Sequence, residues 1–130
     1  MRKVIFDTNF LLLPIQFKID VFSEIEGLIG RFEPIVLSIT VEELRRLLDR
    51  GSEKVRRQAL SAMSLVERCK IMQANIRPGE NYDDVLLRVA KEENCIVATN
   101  DRELRRKLRE NNITTIFLRE KARLQIDGYI

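Results

Sequence analysis

"VIFDTNFL", residues 4–11, sets how the rest of the chain is read. Val4, Ile5 and Phe6 form an apolar run of the kind that builds a buried strand, and the run stops abruptly at Asp7. An acid at the end of a buried strand either closes an Asx-turn or serves as a ligand for something positive. Four more short apolar runs follow, so the predicted strands are 3–6, 35–39, 69–73, 95–98 and 114–118.

Helical periodicity fills the gaps, at about 20–29, 41–49, 53–67, 82–93 and 103–110. Gly51 and the Asn111-Asn112 pair suit helix stops, and Pro78-Gly79 marks a loop. Strands alternating with helices predict an α/β fold: a three-layer α/β/α sandwich around a mostly parallel sheet of four or five strands. At 130 residues the chain fits a single domain, 1–130. In such folds ligands gather beyond the carboxyl ends of the strands, which is where Asp7 falls.

Composition narrows the chemistry. Apolar residues make up 45% and charged ones 33%, as in folded rather than disordered chains. Asp7, Thr8 and Asn9 break any leader-like apolar segment, and no stretch approaches the roughly 18 apolar residues of a membrane span. Cys69 and Cys95 are isolated and read as core thiols. A cytoplasmic protein without a membrane partner is expected. The net charge of +3 permits a polyanionic partner without requiring one. There is no histidine, which excludes Ser-His-Asp and Cys-His catalysis, histidine-held zinc and histidine acid/base cleavage of RNA.

Four acids fall at or near one sheet edge: Asp7, Glu43 in "SITVEEL", Asp83 in "NYDDVLLRVA" and Asp101 in "IVATND". Each has a plain local reading. Thr40 and Glu43 fit a T-x-x-E capping box, Asn81 suits a helix cap beside Asp83 and Asp84, and Asp101 suits a first helical turn. Together they repel unless a cation neutralises them or their pKa values rise, and oxygen-only ligands suit a hard ion, Mg²⁺ or Mn²⁺. Periodicity sets Asp83 with Leu86, Leu87 and Ala90 toward the sheet, and Asp84 with Arg88 and Lys91 toward water. It likewise favours Glu43 over Glu42, while the choice between Asp83 and Asp84 stays open.

The segments "VIFDTNFL", "SITVEEL", "DDVLLRVA" and "IVATND", in that order and spanning nearly the whole chain, resemble a PIN domain. Within that family, "FDTNFLL" and "DDVLLRVAKEENCIVATNDRELRRKLRE" resemble the archaeal and eukaryotic endonucleases that process small-subunit ribosomal RNA, more than the toxin branch. The resemblance implies metal-dependent cleavage of RNA with Mg²⁺ or Mn²⁺. It implies catalytic and metal-binding roles for Asp7, Glu43, Asp83 and Asp101, with Asn9 and Thr99 in support.

Arg102, Arg105, Arg106 and Arg109 form one helical stripe, a candidate surface for RNA phosphates or simply a solvated face. With 6 Phe and 2 Tyr, few aromatics are left for base stacking. "FLLLPIQF", residues 10–17, is apolar enough for a homodimer interface or for core cover. Other readings are weighed on single features. A haloacid-dehalogenase-like phosphatase wants a second Asp where Asn9 stands, and no glycine-rich nucleotide loop follows the first strand. Processing of ribosomal RNA, with a pre-ribosome as partner, is the expected role; a toxin-type ribonuclease held by an antitoxin and a non-catalytic RNA-binding scaffold are the alternatives.

Overall fold

The computed structural model describes residues 1–14, 18–120 and 123–129. Its elements run β1 (Arg2–Phe6), α1 (Thr8–Leu11), α2 (Val21–Ile29), β2 (Phe32–Leu37), α3 (Ser38–Arg50) and α4 (Glu53–Val66). They continue with β3 (Lys70–Met72), α5 (Tyr82–Glu93), β4 (Ile96–Ala98), α6 (Arg102–Glu110), β5 (Thr115–Arg119) and β6 (Arg123–Asp127). Among the described residues, six strands join one sheet in the order β3-β2-β1-β4-β5-β6. The first five are parallel, and β6 runs antiparallel to β5.

The sheet is covered on both faces, which is why its strands read as short continuous apolar runs. Val4 and Phe6 point to one face, where they meet Phe10, Phe22, Ile25, Leu44 and Ala62 from α1 to α4. Ile5, between them, points to the other, where Ile35, Leu37 and Val97 pack under Leu86 of α5 and Leu104 and Leu108 of α6. This is the expected three-layer arrangement. It carries one strand more than the four or five expected, because Arg123–Asp127 adds an antiparallel edge.

Strand order also fixes where a site can form. From β1 the chain moves outward to β2 and β3, then returns to the opposite side of β1 with β4. The order reverses between β1 and β4, and at such a switch point the following connections diverge and leave a crevice. Asp7 follows β1 and Thr99 to Asp101 follow β4.

Several local expectations need revision. The helix after β2 begins at Ser38, behind Leu37, with no side-chain cap. Thr40 therefore lies inside α3, and the Thr40–Glu43 capping box does not form. Gly51 does end α3, but at an extended φ of −73°. A Cβ there would sit 2.5 Å from the Leu47 carbonyl oxygen, so close approach, not a left-handed turn, calls for glycine. In "FLLLPIQF", Phe10, Leu11 and Leu13 are buried in the core, which removes them from any interface; residues 15–17 lie outside the described residues. Among the described residues no helix is long and apolar enough to cross a membrane.

Candidate active site

Asp7 is 4% exposed, and it is the residue on which the edge is built. Its backbone N–H donates to the Ala98 carbonyl at 3.0 Å, which ties the end of β1 to the end of β4. The Asp7 side chain makes no capping bond to α1, so the Asx-turn reading fails and the carboxyl is free for other contacts. Thr99, fully buried after β4, donates its hydroxyl hydrogen to Asp7 Oδ2 at 2.6 Å. The same Thr99 oxygen accepts the Asp101 backbone N–H at 3.1 Å.

Burial pushes the Asp7 carboxyl up to about 6, against the lowering effect of Thr99, the Thr8 backbone and the Tyr82 hydroxyl; the charge of Asp83 adds to the rise. Asp83 is raised as well, chiefly by burial and next by Asp101. Asp83 thus links the site electrostatically, acting on Asp7 and itself raised by Asp101. Asp101 is the N-cap of α6 and accepts the Leu104 N–H at 3.0 Å. Glu43 approaches from α3, where its Oε2 accepts the Thr8 hydroxyl at 3.0 Å.

The two neighbouring acids of α5 are used differently. Asp84 and the N-cap Asn81 form a reciprocal capping box, with bonds of 3.0 and 2.9 Å. Asp83 has no such task. The N-terminus of α5 is itself pinned by Arg88, which donates to both Glu80 oxygens and to the Asn75 carbonyl. Asn9 Oδ1 accepts the Asn100 N–H at 3.3 Å, and the Asn100 side-chain oxygen takes the Leu118 N–H at 2.7 Å. Asn9 and Thr99 therefore brace the strand ends from both sides.

Tyr82, Thr8 and Thr40 go beyond the site residues expected from the sequence. The Tyr82 hydroxyl lies 3.0 Å from Thr8 Oγ1 and 2.6 Å from Thr40 Oγ1, and accepts the Thr8 N–H at 3.3 Å. Burial raises the Tyr82 phenol, and the Asp7 charge beside it raises it further, so the hydroxyl keeps its proton. The adjacency of Thr8 to Asp7 and of Tyr82 to Asp83 was the only sequence signal for this cluster.

The acids do not form a closed cage. Among the described residues, no three acidic or thiol side chains are grouped tightly enough to hold a metal ion. Such openness suits Mg²⁺, which keeps several waters and binds through one or two carboxylates plus substrate phosphates. Asp7, with Asp83 acting on it and Asp101 tied to it through Thr99, fits that mode, an oxygen-only donor set with a buried carboxyl. The thiols take no part: burial pushes Cys69 up to about 12 and Cys95 up to about 11.

The arginine stripe on α6 is divided. Arg106 pairs with Glu110 at 2.7 Å and Glu103 at 3.5 Å, and Arg109 pairs with Asp127 of β6 at 3.3 Å. Arg105 instead lays its guanidinium 3.7 Å from the centre of the Phe117 ring. Arg102 makes no side-chain hydrogen bond or ion pair among the described residues. Of the four, Arg102 and Arg105 thus have no acidic partner among the described residues.

A PIN-like domain model matches residues 4–121. The chain belongs to the PIN-like domain family. Over 137 aligned residues it is 39% identical to Ribonuclease VapC4 of Methanocaldococcus jannaschii, covering 100% of both chains. It is 29% identical to Ribonuclease VapC9 of Archaeoglobus fulgidus over 130 residues, covering 98% of this chain and 90% of that one. Among solved structures, the PIN domain endonuclease Utp24 superposes with a TM-score of 0.78 at 24% identity, covering 98% of this chain and 92% of that chain. At that identity the likeness to Utp24 is one of fold.

Proposed function

We propose that this PIN-like protein is an Mg²⁺- or Mn²⁺-dependent endoribonuclease acting at the Asp7 edge of its sheet. One observation carries the reading: a carboxyl buried to 4% exposure, raised to about 6, and faced by further acids rather than by a base. A buried acid with no cationic side chain among the causes of its shift is costly to ionise unless a cation arrives with the substrate. The VapC relatives are named ribonucleases, which supports RNA as the substrate class.

Asp7 and Asp101, at the two strand ends, would hold the ion, with Glu43 and Asp83 as the further acids of the site. The ion would lower the pKa of a bound water and offset charge on the phosphodiester. Thr99 keeps the Asp7 carboxyl turned toward the crevice, and Asn9 holds the turn after β4 in place. Arg102, one residue beyond Asp101, meets the RNA backbone. With no histidine available and no role for the ribose 2′-hydroxyl as nucleophile, cleavage is hydrolytic and leaves no 2′,3′-cyclic phosphate. RNA is then told from DNA by contacts outside the acids.

The test is incubation of the purified protein with a labelled structured RNA, and with DNA of the same sequence, in Mn²⁺, Mg²⁺ or EDTA. Cutting of RNA alone, lost in EDTA and free of cyclic phosphate ends, is expected. Cutting that persists in EDTA would contradict the reading.

Processing of ribosomal RNA is the biological role we favour, on the resemblance of "FDTNFLL" and of residues 83–110 to that branch. A second reading, a toxin ribonuclease held by an antitoxin, is favoured by the VapC names of the two relatives. Affinity purification from the native cell separates the two. Pre-ribosomal particles are expected; a single small protein that blocks cleavage would support the second reading instead.

A further inference from the structure

Tyr82 stands on the first turn of α5, yet its hydroxyl reaches α1 and α3, at residues 74 and 42 positions away in sequence. The Thr8 hydroxyl stands at donor distance from two acceptors, 3.0 Å from Glu43 Oε2 and 3.0 Å from the Tyr82 oxygen, so it bridges the acid and the phenol. Tyr82 also lies 2.6 Å from Thr40 Oγ1, a bond in which either hydroxyl can donate, and accepts the Thr8 N–H at 3.3 Å.

The result is a connected set of hydroxyls, Thr40, Tyr82 and Thr8, that ends on Glu43, a candidate ligand. Glu43 Oε1 has no hydrogen-bond partner among the described residues, so the set fixes one carboxylate oxygen and leaves the other for the crevice. Thr99 likewise holds Asp7 by its Oδ2. The two acids arise 36 residues apart and on different elements, and Thr8, next to Asp7, is the link between them.

We propose that Tyr82 is a positioning residue for the metal centre, its hydroxyl orienting Glu43 through Thr8 and holding that acid in register with Asp7. This role rests on the nuclease reading above. Partners that orient a ligand from behind typically change metal affinity or activity by about 10- to 100-fold when removed.

The experiment compares Mn²⁺ affinity, kcat and KM for RNA in the wild type, Tyr82→Phe, Thr8→Val and Thr8→Ser, with Tm as a control. Tyr82→Phe keeps the ring and removes only the hydroxyl. It should weaken Mn²⁺ binding and lower kcat by roughly 10-fold or more, with little change in KM. Thr8→Val should match it, and Thr8→Ser, which keeps the hydroxyl, should restore most of both. A merely structural role would lower Tm without separating Thr8→Ser from Thr8→Val in Mn²⁺ affinity.

Two kinds of failure have different signatures. Wild-type protein that binds no Mn²⁺ and cuts no RNA would overturn the nuclease reading and this role together. Wild-type protein that does both, with Tyr82→Phe equal to it in Mn²⁺ affinity and kcat, would overturn the role of Tyr82 alone.

Discussion

The Thr99 hydroxyl meets Asp7 Oδ2 at 2.6 Å across 92 residues of sequence. The contact exists because β1 and β4 are neighbours in the sheet, in register from Val4 with Ile96 to Phe6 with Ala98. Parallel pairing delivers the two strand ends to the same edge, and the residues that follow them share one crevice. Thr99→Val removes this bond with little change in shape. Cleavage should fall by roughly 10- to 100-fold, whereas Thr99→Ser should retain most of it. Single-turnover assays of the two variants decide the point.

Asp7 gives stability a pH dependence whose sign can be worked out. Its carboxyl rises from the ordinary 3.8 to about 6 in the folded protein, so the folded state favours the protonated form. That preference stabilises the fold at low pH and is lost as pH rises from about 4 through about 6. The rise corresponds to roughly 3 kcal/mol, an upper figure. Asp7→Asn, neutral at every pH, should melt higher than the wild type above pH 7 in EDTA, with the gap closing near pH 4. Melting curves across that range would show no such closing gap if Asp7 were not desolvated.

Asp83 and Asp84 should separate stability from activity. Asp84→Asn weakens the capping box with Asn81 and should cost about 1 kcal/mol of stability while leaving most activity. Asp83→Asn should do the reverse, because Asp83 is crowded by Asp101 and caps nothing. Denaturant melts and cleavage rates of the two variants test the assignment.

The arginines of α6 should also fall into two pairs. Arg106 and Arg109 are engaged by Glu110, Glu103 and Asp127, whereas Arg102 and Arg105 face no acid partner. Arg102→Ala and Arg105→Ala should each weaken RNA binding and lower its salt slope by about 0.7 to 0.9. Arg106→Ala should change little. Filter binding at several salt concentrations would contradict this if all the variants behaved alike.

Much of this was legible in the sequence, for identifiable reasons. Strands covered on both faces read as uninterrupted apolar runs, so β1, β2 and β4 could be placed within a few residues. Residues 123–127, "RLQID", escaped notice because an antiparallel edge strand alternates polar and apolar residues over too short a span. Its loss hid Asp127, and with it the neutralisation of Arg109. Thr40 misled because T-x-x-E spacing looks the same whether the threonine caps a helix or lies within one. The Tyr82 cluster depends on contacts between distant elements, which local periodicity does not encode.

Cleavage by the Asp7→Asn variant tests the central claim most directly. Wild type and variant, matched for folding by their melting curves, would be incubated with a labelled structured RNA in Mn²⁺, then in EDTA, then with Mn²⁺ restored. The account predicts cutting by the wild type that disappears in EDTA and returns with the metal. In the variant it predicts a loss beyond the roughly 100-fold that even an outer partner can cost. An Asp7→Asn variant that cuts at the wild-type rate would contradict it.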